Sequence, residues 1–183
     1  MTALARHGTA LDGIEVRRLS TVDSIPELTR LLHRAYARLA AMRLRYMATH
    51  QSDEVTWERT GQGECYVAVV NGALTGTIMF KPADRTSGSP WLDRPGIASL
   101  GQFAVAPEVQ ALGLGARLMD LVEARAAATG AAEIALDTAE PAEHLVALYR
   151  RQGYRFIEYV QWSHTNYRSV IMSKLVRPGG VVA

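Results

Sequence analysis

The stretch Gln110-Ala111-Leu112-Gly113-Leu114-Gly115-Ala116 lies between two apolar runs. One has strand character, Ile97 to Val105, and the other has helix character, from about Gly113 to Ala128. Two glycines one residue apart at a strand-to-helix junction leave a row of backbone N–H groups uncovered. The first four N–H groups of a helix have no internal partner, and the helix dipole favours negative charge at that end. A loop of this build is a ready phosphate site, and it requires the fold to set one strand end beside one helix start.

The rest of the chain supplies alternating strands and helices. Ile14 to Leu19 alternates apolar and polar residues, as a half-buried strand does. Asp23 or Ser24 can cap a helix with Pro26 in its first turn and Leu28, Leu31, Leu32, Ala35 and Tyr36 on one face. A second helical stretch is expected over Leu39 to Met47, and a short one over Asp53 to Glu58. Tyr66 to Val70, Asn71-Gly72 and Ala73 to Phe80 form a hairpin signal, because Asn-Gly accepts positive φ at both positions of a type I′ turn. Lys81 to Gly96, rich in Pro, Gly, Ser and Asp, reads as a long loop.

Pro107 ends the strand that precedes the glycine loop. The following helix carries Leu114, Leu118, Leu121, Val122 and Ala126 as a buried stripe, leaving Glu123 and Arg125 for solvent, and Gly130 is its expected left-handed cap. A strand over Ala132 to Leu136, a helix over Pro141 to Gln152, and strands over Tyr154 to Trp162 and Tyr167 to Leu175 complete the pattern. The fold class is α/β (α+β): a single domain over residues 13–176 between flexible tails at 1–12 and 177–183.

With 183 residues, 48% hydrophobic and 21% charged, the chain has the composition of a globular domain with a real core. A net charge of +2, with scattered arginines, gives no field that calls for nucleic acid. Arg117, next to the glycine loop, can assist a phosphate. Cys65 is the single cysteine, so no disulfide or thiolate metal site is available within the chain; in the run Cys65 to Val70 it reads as a small core residue. No metal site is expected. No signal-peptide-like segment is present, and no run approaches the roughly 18 apolar residues of a membrane span. A cytoplasmic protein without membrane association is the expectation.

Three phosphate-loop grammars compete. A P-loop requires Gly-Lys-Ser/Thr, and Gly115 is followed by Ala116-Arg117. A dinucleotide fingerprint requires Gly-x-Gly-x-x-Gly near the start of its unit, and the third glycine is missing. The pattern Gln/Arg-x-x-Gly-x-Gly/Ala fits Gln110 to Gly115. Together with Phe103-Ala104-Val105-Ala106-Pro107-Glu108 before it, and Leu145-x-x-Leu148-Tyr149-Arg150-Arg151-Gln152-Gly153-Tyr154 after it, this resembles the GNAT superfamily of N-acetyltransferases. The resemblance extends over roughly residues 14–175 and is most specific over 98–156.

The resemblance implies a mixed, mostly antiparallel sheet of six to seven strands flanked by helices. It implies acetyl-CoA as cofactor, with its pyrophosphate on the loop formed by Gln110, Ala111, Leu112, Gly113, Leu114, Gly115 and Ala116. It places the pantetheine arm along the open backbone of Phe103, Ala104 and Val105. Tyr149 corresponds to the family's usual proton donor to the leaving thiolate, and a possible homodimer is a further family expectation, testable by light scattering.

Direct attack by an amine needs no enzyme nucleophile, and the chain has no convincing Ser-His-Asp or Cys-His set. The strand Ile97 to Val105 lacks the carboxylate that many relatives use as base; Gln102 or Ser99 can orient a water, and Glu158, His164, Glu140 and His144 are candidates from elsewhere. Ala142 stands where the family has an asparagine. Tyr46, Trp57, Trp91 and Trp162 are candidate pocket walls, and Asp53, Glu54 and Glu58 are acidic residues able to attract an amine. The expected acceptor is a small-molecule or amino-acid-like primary amine, with a protein N-terminus or lysine, or an idle CoA-binding sensor, as the alternatives.

Overall fold

The computed structural model describes residues 13–176, so both expected tails lie outside the described residues. Seven strands make one sheet: β1 (Glu15–Arg18), β2 (Glu64–Val70), β3 (Ala73–Lys81), β4 (Ile97–Val105), β5 (Glu133–Ala139), β6 (Arg155–Val160) and β7 (Ser169–Leu175). Their spatial order is β1-β2-β3-β4-β5-β7-β6, and every neighbouring pair is antiparallel except β4–β5. The helices are α1 (Ile25–Ala41), α2 (Asp53–Thr60), α3 (Leu114–Ala128) and α4 (Glu143–Arg151). This is the mixed, mostly antiparallel sheet that the resemblance implies.

The β2–β3 hairpin turns at Asn71 and Gly72, with φ of 49° and 81°, the left-handed pair that a type I′ turn demands. Successive side chains of β2 point to opposite faces. Tyr66 and Ala68 enter a core with Ile78, Phe80, Leu118 and Val122 beneath α3. Cys65, Val67 and Val69 enter a second core with Leu28, Leu31 and Leu32 of α1. Full burial of one such leucine is worth about 2 kcal/mol, so these two layers clamp the sheet from both sides. Cys65 behaves as a core residue: its Sγ lies 3.6 Å from Thr77 Oγ1, and burial pushes its thiol pKa up.

Ser24 caps α1 by accepting the Glu27 N–H at 3.2 Å. The expected second helix over Leu39–Met47 does not form. Arg43 takes a left-handed φ of 61°, its N–H reaches Ala40 O, and the Leu44 N–H reaches Leu39 O. That pair of bonds is a Schellman ending, and buried Leu39 and Leu44 supply its hydrophobic contact. Only a short 3-10 turn, Met47–Thr49, follows. The same ending stops α3 at Gly130 (φ 76°) and α4 at Gly153 (φ 90°). In α4 it ties the Tyr154 N–H to Tyr149 O at 3.0 Å, fixing the end of the helix that carries Tyr149.

Two residues expected to face solvent have partners instead. Glu123 accepts from Tyr154 Oη and Lys174 Nζ, and Arg125 forks onto Glu64 at 2.7 and 2.9 Å. The Arg125 guanidinium holds the Glu64 carboxyl at about 2, against an ordinary 4.5. Because the folded-state pKa is depressed, the stability that this pair contributes is present above pH 4.5 and is lost as pH falls toward about 2. The expected outcome is that the urea midpoint of the native chain falls more steeply across that window than the midpoint of Glu64→Gln. Parallel slopes would remove the pair from the acid transition.

Candidate active site

Strands β4 and β5 pair only through Ile97–Glu133, Ala98–Ile134 and Ser99–Ala135. Beyond Ser99 they part, which opens backbone edges toward one another. A bulge in β4 drives the parting. Thr77 opposes Ala104 and Met79 opposes Gly101, so Gln102 and Phe103 share one partner position, and Gln102 adopts a φ of 45°. Two tyrosines bond the parted strands. Tyr36 Oη donates to the Phe103 carbonyl at 3.0 Å, while Tyr46 Oη accepts the Ala139 N–H at 2.8 Å and lies 2.9 Å from Thr138 Oγ1. Their rings meet edge-on at 5.5 Å.

The glycine loop lies at the mouth of this opening. Ala111 and Gly113 have φ of 66° and 88°, and Gly113 precedes α3 without a side-chain cap. The first intrahelical bond runs from the Arg117 N–H to Gly113 O; among the described residues the six N–H groups of Ala111 to Ala116 make no backbone bond. Gln110 Nε2 donates to the Val105 carbonyl at 3.1 Å and ties the loop to the strand end. Arg117 points elsewhere, donating to the Ile14 carbonyl at 3.0 Å, so its guanidinium does not supplement the loop.

A cleft of about 350 Å³ runs from the loop along β4, and Phe103, Ala104, Val105, Gln110, Ala111, Gly115 and Tyr149 all line it. Leu112, Gly113 and Ala116 stay exposed at the loop, whereas the Leu114 side chain is fully buried. Arg38 and His144 also line the cleft. Burial and the neighbouring Arg38 lower the His144 pKa.

A second cavity of about 110 Å³ continues inward, and Tyr36, Phe103 and Tyr149 line both spaces. Tyr149 is 8% exposed, and burial, reinforced by Tyr36, Tyr46 and Asp137, pushes its pKa far up, so it stays protonated. Among the described residues its hydroxyl makes no hydrogen bond. A third cavity of about 250 Å³ adjoins the second through Arg59, Leu100, Gly101, Leu136, Asp137 and His164.

Of the expected walls, Tyr46 lines the second cavity and Trp162 the third, while Trp57 is 62% exposed and Trp91 packs on the Arg94 and Arg155 guanidinium groups. Among the base candidates only His164 borders the two inner cavities; Glu158 accepts the Trp91 N–H, Glu140 pairs with Arg168 at 2.7 Å, and His144 faces the first cleft. Asp53, Glu54 and Glu58 line none of these three spaces.

Asp137 is a carboxylate that lines both inner cavities and was not singled out from the sequence. It stands on the open part of β5, and Trp162 Nε1 and Ser169 Oγ both donate to its Oδ2 at 3.0 Å. A lone acid in the apolar run Ile134 to Ala139 was its signal.

The model of the acetyltransferase (GNAT) family matches residues 26–154. The chain belongs to the GNAT family. It is an acetyl-CoA-dependent N-acyltransferase, and the unbonded loop amides and the cleft behind them suit a pyrophosphate with a long arm. The GNAT chain is 25% identical over 142 residues to the S-(2-succino)cysteine N-acetyltransferase of Bacillus subtilis, covering 75% of this chain and 82% of that one. Its fold matches the ribosomal-protein-S18-alanine N-acetyltransferase of Escherichia coli with a TM-score of 0.67 at 18% identity, covering 93% of this chain and 98% of that one. It also matches a GNAT acetyltransferase of Elizabethkingia anophelis with acetyl-CoA bound, with a TM-score of 0.62 at 18% identity and coverage of 90% and 99%. Among the described residues no helix is long and apolar enough to cross a membrane, and no cluster of metal-binding side chains occurs.

The left-handed Gly113 is a point of backbone constraint. Gly113→Ala is expected to cost about 1 kcal/mol of unfolding free energy in urea titrations, because a Cβ is strained at that φ. No loss would mean that the loop can open without that conformation.

Proposed function

We propose that this enzyme transfers an acetyl group from acetyl-CoA to the primary amine of a small, amino-acid-like molecule, by direct attack in a ternary complex. One observation carries the reading: Tyr149 lies on the wall common to the cofactor-sized cleft and the small second cavity. A group held there can serve the bond that joins the two substrates. The second cavity supports a small acceptor. Its walls include Tyr36, Tyr46, Tyr149 and Tyr167, and the Tyr46 and Tyr167 rings are 4.9 Å apart. A tyrosine-walled space of about 110 Å³ suits a side-chain-sized amine better than a folded protein surface. The Bacillus subtilis relative is named for acetylation of an amino-acid derivative, which agrees with that class.

The cofactor contributes the activated acyl group: the acceptor nitrogen bonds to the thioester carbonyl carbon, and the C–S bond breaks. The chain's residues manage position and protons. The N–H groups of Ala111 to Ala116 bind the pyrophosphate, and the open backbone of Phe103, Ala104 and Val105 pairs with the amides of the arm. Asp137, with Oδ2 engaged by Trp162 and Ser169, takes the proton that the amine nitrogen loses. Tyr149, kept protonated by burial, gives its proton to the leaving sulfur.

The test is thiol release from acetyl-CoA with a panel of amines. Tyr149→Phe should lower kcat by about ten- to a thousandfold, and Asp137→Asn by at least about tenfold, with acetyl-CoA affinity measured by calorimetry little changed in both. Native turnover in Tyr149→Phe would remove the proton-donor role. Tight acetyl-CoA binding by the native chain with no release across the panel would favour a sensor instead.

A further inference from the structure

Beyond Asp137 the inner cavities are rich in donors and poor in acceptors. Arg59 lines both the second and the third cavity, and Lys81 and Arg85 line the third. None of these three cations forms an ion pair with a carboxylate of the described residues. Arg59 donates to the neutral Gln51 Oε1 at 2.6 Å, and Lys81 to the neutral Gln62 Oε1 at 2.8 Å. Burial lowers the pKa of both side chains and the Arg59 charge lowers that of Lys81 further, with Asp137 the one carboxylate that offsets this at both, so two cations border one cavity that holds a single acid among its described lining residues. Gln102 adds a further donor. It is 5% exposed, it lines the second cavity, and its Nε2 is buried with no hydrogen-bond partner among the described residues.

A pocket that gathers unpaired cations and an orphan amide donor is stabilised by an anion. The order of shared walls gives the direction. From the cofactor cleft inward come Tyr149, then Asp137 and Arg59, then Lys81 and Arg85. We infer that the acceptor is an amine bearing at least one carboxylate, with its amine against Asp137 near Tyr149 and its acidic end held by Arg59 and Lys81. This deepens the reading above and rests on it. Arg59 suits the role because its planar fork matches a carboxylate, and Lys81 adds a point charge on the far side. A neutral acceptor of the same shape leaves these donors unpaired, which is the basis of strong discrimination.

The experiment pairs acceptors that differ in one carboxylate: glutamate with glutamine and with its α-amide, and S-carboxymethyl-cysteine with S-carbamoylmethyl-cysteine and with its α-amide. Each is titrated by calorimetry into the protein saturated with CoA, and each is separately assayed for thiol release from acetyl-CoA. The expected result is that in at least one pair the acid binds about tenfold or more tightly than its amide. Arg59→Gln and Lys81→Gln should each bring that ratio toward one. Thermal melting and acetyl-CoA binding of each variant check that the fold survives, and Lys81→Arg should restore part of the preference. Equal binding of acid and amide, binding of neither, or a preference that both variants leave intact overturns the inference. The binding arm separates this from the broader reading: acid-selective binding without thiol release supports the anion site and sinks acetyl transfer to such acceptors. Thiol release with amides as good as with acids does the reverse.

Discussion

The parting of β4 from β5 after Ser99 is the constraint on which the rest of this molecule depends. Two parallel strands in the middle of a sheet would ordinarily continue to pair, since each unpaired backbone group in the interior costs free energy. Here three residue pairs form and then the ladder stops. The bulge at Gln102 turns the backbone of β4 away, and Tyr36 and Tyr46 bond the two separated edges with their hydroxyls. The sheet on either side is continuous, with β3 on one flank and β7 on the other, so the gap is local.

The candidate site lies along that gap. Its mouth meets the glycine loop, whose amides are free because α3 begins at Leu114 without a cap. Its depth meets Tyr149, which α4 presents from the far side and which the Schellman ending at Gly153 holds in place. Asp137 belongs to the same feature. Its strand continues to Ala139 beyond the last residue paired with β4, so a residue of the sheet's interior faces open space. In the reading proposed here, one backbone departure supplies the cofactor's hydrogen-bonding edge and the acceptor's cavity together.

The sequence carried the local signals of this design and not its long-range consequences. Asn71-Gly72 specified its hairpin because positive φ at both positions is a property of those two residues. The loop from Gln110 to Gly115 was legible only in part: Gly113 takes the left-handed φ that glycine favours, whereas Ala111 takes one without being glycine. The ending of α1 was not: Arg43 takes a left-handed φ without being glycine, under the pull of contacts between Leu39 and Leu44. Asp137 was hidden because the strand was expected to stop at Leu136, and only pairing with β7 as far as Ser169 shows that it goes on. Nothing in the sequence singled out Arg59 and Lys81, since nothing local shows that α2 and the end of β3 border one cavity. Glu123 and Arg125 were assigned to solvent for a like reason, their partners lying 31 to 61 residues away.

The central claim is that the gap between β4 and β5 receives the cofactor's arm and delivers its sulfur to Tyr149. A crystal structure of the complex with CoA measures this directly. The account predicts arm amides bonded to the backbone of Phe103 to Val105, pyrophosphate oxygens on the amides of Ala111 to Ala116, and the sulfur within hydrogen-bonding reach of the Tyr149 hydroxyl. A sulfur lying away from Tyr149, or an arm that leaves the β4 edge unbonded, would contradict it.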